Sequence, residues 1–158
     1  MNINEEGVIE LFNDGGLSYS VVDMSEDNGY GSVSTLEKNV QLLRFTSEKI
    51  TATYKNPDGS SIWVITFASE NDGNTQYLYN TFYAFEINET GLNPIPVKST
   101  PDNSNTPTPR GYLKIAPNGK KLVSANAGFN TNKYSSFIYD FDAETGIVSN
   151  KIRLNLTD

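Results

Sequence analysis

The sequence predicts an all-β chain built from antiparallel four-stranded repeats: a partial β-propeller, with a β-sandwich as the alternative. Apolar residues recur at period two in short runs, as in half-buried strands. The runs are rich in β-branched and aromatic side chains, which suit a pleated surface. Two turn signatures also recur in the same order relative to the runs, which a sandwich has no reason to do.

In chain order the predicted strands cover residues 8–12, 17–24, 40–45, 50–54, 62–68, 81–87, 92–97, 112–115, 121–125, 137–141 and 147–154. Helix is nearly absent from this pattern. Only in residues 35–43 do Leu36, Val40 and Leu43 fall at i, i+4 and i+7, and there Gly31 and Ser34 favour a loop. Trp63, among β-branched neighbours, reads as core.

The first turn signature is Asn56-Pro57-Asp58-Gly59, matched by Ala116-Pro117-Asn118-Gly119 with the prolines 60 residues apart. Pro presets one turn residue and Gly accepts positive φ. The second is Ile87-Asn88-Glu89-Thr90-Gly91-Leu92, matched by Asp142-Ala143-Glu144-Thr145-Gly146-Ile147 with the glycines 55 residues apart, and earlier by Ile3-Asn4-Glu5-Glu6-Gly7-Val8. Gly59, Gly91, Gly119 and Gly146 are therefore predicted turn positions. In this register residues 1–46 form an incomplete first repeat, 47–100 a second, 101–110 a Pro/Asn/Thr-rich exposed connection and 111–158 a third, all in one structural domain. Propellers close with about four to eight blades of about 40 to 50 residues, so the chain holds at most three. Uncovered blade faces and edges favour association, and a homo-oligomer, a dimer, is expected.

Leu17-Ser18-Tyr19-Ser20-Val21-Val22-Asp23-Met24, with Lys38-Asn39-Val40-Gln41-Leu42-Leu43, Ser61-Ile62-Trp63-Val64-Ile65-Thr66 and the stretch from Gly111 to Leu122, resembles the WD40-like propeller region of bacterial surface proteins. Those proteins are associated with gliding motility and type IX secretion and often carry PKD-like modules downstream. The resemblance covers roughly residues 17–154 and rests on turns and core strands. It implies a secreted or cell-surface bacterial location, with targeting sequences outside this chain, and a scaffold or adhesion role.

Composition narrows the chemistry. In 158 residues, 12 Lys and Arg against 19 Asp and Glu give 12 − 19 = −7, which disfavours nucleic acid and anionic lipid. With neither Cys nor His, the chain lacks the preferred zinc ligands, the commonest general base and every Ser-His or Cys-His pair. No segment approaches the roughly 20 apolar residues of a membrane span, and the first ten residues do not read as a signal peptide. The expectation is a non-catalytic module with a protein or glycan partner and no cofactor.

Three candidate sites remain. Asp23 and Asp27 in one glycine-bearing loop, and Asp72 in another, are the residues that could offer oxygen ligands to calcium, although neither loop has the spaced Asp/Asn pattern of a calcium loop. Such loops are ordinarily solvated turns. Tyr77 and Tyr79 flank a loop where an exposed pair could stack on a sugar or anchor a protein. Asp140, Asp142 and Glu144 cluster as a glycosidase pair would. Asp140 and Asp142, however, alternate with Tyr139 and Phe141, which places them on the solvent face of a strand. A carbohydrate-binding or carbohydrate-processing domain is thus the alternative function.

Overall fold

The computed structural model describes residues 2–3, 9–10, 16–101, 108–127 and 136–154. The chain is all-β. Short strands β1 (Asn2–Ile3) and β2 (Ile9–Glu10) pair antiparallel. A two-stranded arm follows, in which β3 (Leu17–Tyr19) pairs with β6 (Val40–Leu43) and, further out, β4 (Val22–Asp23) pairs with β5 (Ser32–Val33). Its tip holds one 3-10 turn at Asp27–Gly29. Residues 35–39 are bends leading into β6, so the helical spacing of Leu36, Val40 and Leu43 is incidental.

The first large sheet is a meander of β7 (Thr46–Tyr54), β8 (Ser61–Ala68) and β9 (Thr81–Asn88), closed by an edge in two pieces, β10 (Gly91–Leu92) and β11 (Val97–Ser99). The continuous strand expected over 92–97 is not formed. Pro94 and Pro96 lack the N–H that a ladder needs, so Leu92 pairs with Ile87, Val97 resumes at Ala84, and Ile95 is expelled into solvent. The second sheet is a meander of β12 (Gly111–Ile115), β13 (Lys121–Asn126), β14 (Ser136–Asp142) and β15 (Ile147–Leu154), with a register shift between Ile138 and Asp140 where β14 pairs β15. The predicted first strand at 8–12 reduces to Ile9–Glu10 among the described residues.

The matching turns are built alike. Gly59 N–H donates to the Asn56 carbonyl (3.0 Å) and Gly119 N–H to the Ala116 carbonyl (2.8 Å). Ser60 N–H donates to Asp58 Oδ1 and Lys120 N–H to Asn118 Oδ1, at 3.0 and 3.1 Å. Gly59, Gly91, Gly119 and Gly146 have φ of 75°, 107°, 68° and 78°. Four residues after each proline-turn glycine stand Trp63 and Val123, opposite Thr53 and Lys114 respectively. Trp63 and Val123 thus both stand in the second cross-strand pair beyond the turn, although the first turn is one residue longer.

Trp63, Ile65 and Phe67 of β8 and Phe82 of β9 pack against Leu113, Leu122, Tyr139 and Phe141 of the second sheet to form the main core. Phe82 stacks on Phe67 (centroids 4.4 Å apart) and meets Tyr139 edge-on at 4.9 Å, an arrangement the aromatic quadrupole favours. Trp63 Nε1 donates to the Ala143 carbonyl (2.7 Å) and Val148 N–H to Ser99 Oγ (2.9 Å), which ties the sheets edge to edge. On the opposite face of the first sheet, Ala68, Tyr83 and Phe85 form a second core with Leu43, joined by Leu17 and Leu42 of the arm.

Candidate functional site

The acidic loops are locally satisfied turns. Asp23 Oδ1 accepts from Ser25 N–H (2.9 Å) and Ser25 Oγ (2.7 Å), and the Ser25 hydroxyl is the main reason its carboxyl titrates below the usual range. Asp27 sits exposed in the 3-10 turn at φ 50°. Asp72, at φ 60°, pairs with Lys98 Nζ at 2.5 Å while its N–H donates to Tyr83 Oη (3.0 Å). Among the described residues no group of three or more Asp, Glu, His or Cys is placed to hold a metal ion.

The tyrosine pair does not form a platform. Tyr77 is 59% exposed at φ 60°, whereas Tyr79 is 3% exposed within the main core. The reason is the entry into β9. The left-handed residue at Tyr77 turns the chain, Asn80 N–H then closes on the Ala68 carbonyl (3.0 Å), and Tyr79 is carried inward with Phe82. Burial pushes the Tyr79 phenol up from its ordinary value.

The carboxylate cluster lies on the outer side of the second sheet, with Tyr139 and Phe141 buried behind it. Asp140 is bound by Lys121 and by Asn150 Nδ2 (2.7 Å), contacts that hold it low. Asp142 accepts from Glu144 N–H (3.0 Å) and Thr145 Oγ1 (2.7 Å) and is held low as well, by the Thr145 hydroxyl above all. A glycosidase needs one carboxyl raised so that it can give a proton; both of these are stabilised as carboxylates.

Sequence reasoning missed Lys49. It projects from β7 into the seam between the sheets and is 1% exposed. Its Nζ donates to Asn126 Oδ1 (2.5 Å) and to the Thr108 carbonyl (3.3 Å), and it lies 5.6 Å from the Phe67 ring centroid. Burial pulls its pKa down to about 8. The same contacts correct the expectation that residues 101–110 are exposed throughout. Thr108 is buried with its Oγ1 on the Ala127 carbonyl (2.5 Å), and the Pro109 carbonyl accepts from Glu48 N–H (3.0 Å). The polar alternation Ser47, Lys49, Thr51, Thr53 gives no hydropathy signal for this burial.

A further exposed feature is the outer face of the second sheet. A registered row, Lys114–Val123–Ile138–Ile152, crosses all four strands there, beside Tyr112 at 80% exposure and with Ile152 itself 55% exposed. The Trp63–Val123 equivalence identifies this face with the one on the first sheet that the second sheet covers. Among the described residues no helix is long and apolar enough to cross a membrane. No protein-family model, curated protein or solved structure matches this chain.

Proposed function

We propose that the chain is a non-catalytic, propeller-type interaction module, a scaffold or adhesion unit of a secreted or cell-surface bacterial protein. The observation that carries this reading is the outer face of the second sheet: it repeats the position of the first sheet's inter-sheet face but has Tyr112 and Ile152 in solvent. Exposed large apolar side chains on a sheet face are what interaction sites are made of. The satisfied carboxylates of Asp140 and Asp142 and the burial of Tyr79 weigh against the carbohydrate alternative. A glycan array together with hydrolysis assays on common polysaccharides tests it. Neither tight sugar binding nor turnover is expected; either one, abolished by Asp140→Asn or Asp142→Asn, would overturn the proposal.

A further inference from the structure

The seam between the sheets sets the Lys49 amine against a carboxamide, that of Asn126, whose Oδ1 stands 2.5 Å from Nζ. Both side chains are out of water, at 1% and 7% exposure. Two backbone irregularities bring them together. In β7 the register against β8 shifts between Thr46 and Ile50, and this bulge turns Lys49 into the seam, where Thr66 Oγ1 donates to its carbonyl (3.0 Å). In the second sheet Asn126 pairs with Gly111, which has a φ of 136° and stands so close to β13 that a Cβ there would clash with the Ala125 carbonyl oxygen. The Thr108 carbonyl, 3.3 Å from Nζ, holds the amine from a further side.

An amine and a carboxamide held in this way can condense. The amine must be neutral to act as a nucleophile, and burial brings Lys49 down to about 8, so near that pH a large part of it is the free base. The Nζ lone pair attacks Asn126 Cγ, and the C=O electrons move onto Oδ1. Ser124 Oγ, 3.2 Å from that oxygen, donates to it as its charge grows. The surplus proton on Nζ passes to Nδ2, the Cγ–Nδ2 bond breaks, and ammonia leaves. One amide bond replaces another, so no oxidant, reductant or cofactor enters. Between separate molecules this exchange is negligibly slow, but partners held in contact reach effective molarities of roughly 10⁵–10⁸ M. Escape of ammonia from the seam makes the step one-way.

We propose that Lys49 and Asn126 form a self-modification site, at which the folded chain closes an intramolecular amide bond between β7 and β13. The two residues lie 77 apart in sequence and meet only across the seam, so the newly folded chain carries the free amine and the bond follows over days. Trp63, opposite Thr53, ties the far end of the seam through the Ala143 carbonyl. The amide fastens the Lys49 end, and it gives a chain without cysteine a covalent staple between its two sheets. The inference does not depend on what the module binds.

Intact mass spectrometry of the full chain, freshly refolded and then kept folded for days at about pH 8.5, tests it. The mass is expected to fall by about 17 Da, one ammonia, below that of the sequence. Trypsin then leaves Lys49 uncut and yields residues 45–55 joined to residues 122–133. Lys49→Arg and Asn126→Ser, each checked for folding by circular dichroism, keep their full mass. A wild type that keeps its full mass and is cut at Lys49 overturns the proposal. So does a fall traced in the digest to a cyclised Asn28-Gly29 or Asn118-Gly119 step, or an equal fall in Lys49→Arg.

Discussion

The two large sheets share turn chemistry and strand order yet differ in what covers them, and their strands record the difference. In the first, β8 and β9 read Ser61-Ile62-Trp63-Val64-Ile65-Thr66-Phe67-Ala68 and Thr81-Phe82-Tyr83-Ala84-Phe85-Glu86-Ile87-Asn88, with one charged residue between them. That is the near-continuous apolar pattern of a sheet packed on both faces. In the second, β13 and β14 alternate, and Lys121, Asp140 and Asp142 lie outward while Leu122, Tyr139 and Phe141 lie inward. Equivalent turns therefore fix the path of the chain, and the side chains between them report the neighbours each sheet has.

The largest expected effect comes from the pair that occupies one repeat position in the two sheets. Trp63 is 3% exposed, holds the Ala143 carbonyl and lies 5.0 Å below Lys55 Nζ. Trp63→Ala should cost about 3–5 kcal/mol, as large aromatic deletions in cores do. Val123→Ala, on the half-open outer face, should cost under about 1 kcal/mol in the monomer. Urea denaturation of both variants reads the contrast, and similar losses would mean that the outer face is already covered.

Lys49 supplies the next test, since it belongs to the seam between the sheets. In the unfolded chain it stays protonated up to its ordinary 10.5, but in the folded chain only up to about 8. Between those values the unfolded state holds the extra proton, so stability rises with pH. Below pH 8 both states are charged and the folded one bears a desolvation cost of about 3 kcal/mol. Tyr79 and Tyr83, raised by burial, act oppositely once the pH passes their ordinary 10. The comparison therefore belongs between about pH 7 and 9.5. Wild type should gain stability across that window in denaturant titrations, and Lys49→Met should flatten the gain. A wild-type profile without the rise would place the ammonium in contact with water.

What the sequence disclosed follows from the range of each signal. Strand periodicity and turn chemistry are local, so residues 62–68, 81–87, 121–125 and 137–141 form strands close to the expected places, and the turns at Gly59 and Gly119 carry the same contacts. Burial created by distant segments is not local. Lys49 is covered by Thr108 and Asn126, 59 and 77 residues away, and a period-two reading of β7 sees only a polar strand edge. Tyr79 was misplaced for the same reason, because a left-handed Tyr77 redirects the chain and aromatic content alone says nothing of direction. The break at Pro94 and Pro96 is different: proline's missing donor was visible, and hydropathy outweighed it. Of the candidate site, the outer face was legible only in outline, since naming it requires knowing which neighbour sits on the other side.

The smallest expected effect separates Gly91 from Gly146, the second pair of matched turns. Both have positive φ, where any Cβ is strained. Around Gly91 a Cβ would meet nothing within 4 Å, whereas at Gly146 it would stand 3.0 Å from the Trp63 ring. Gly91→Ala should therefore cost only the backbone strain, about 1 kcal/mol. Gly146→Ala adds an overpacking cost of about 1–3 kcal/mol, because the indole is held by its bond to Ala143 and cannot retreat without losing it. In the Trp63→Ala background the ring is gone, and the two glycine substitutions should cost the same. A double-mutant cycle in urea reads this as a coupling between Gly146 and Trp63 that Gly91 lacks; no coupling would mean that the turn of the second sheet does not bear on the first, and that the two sheets meet elsewhere.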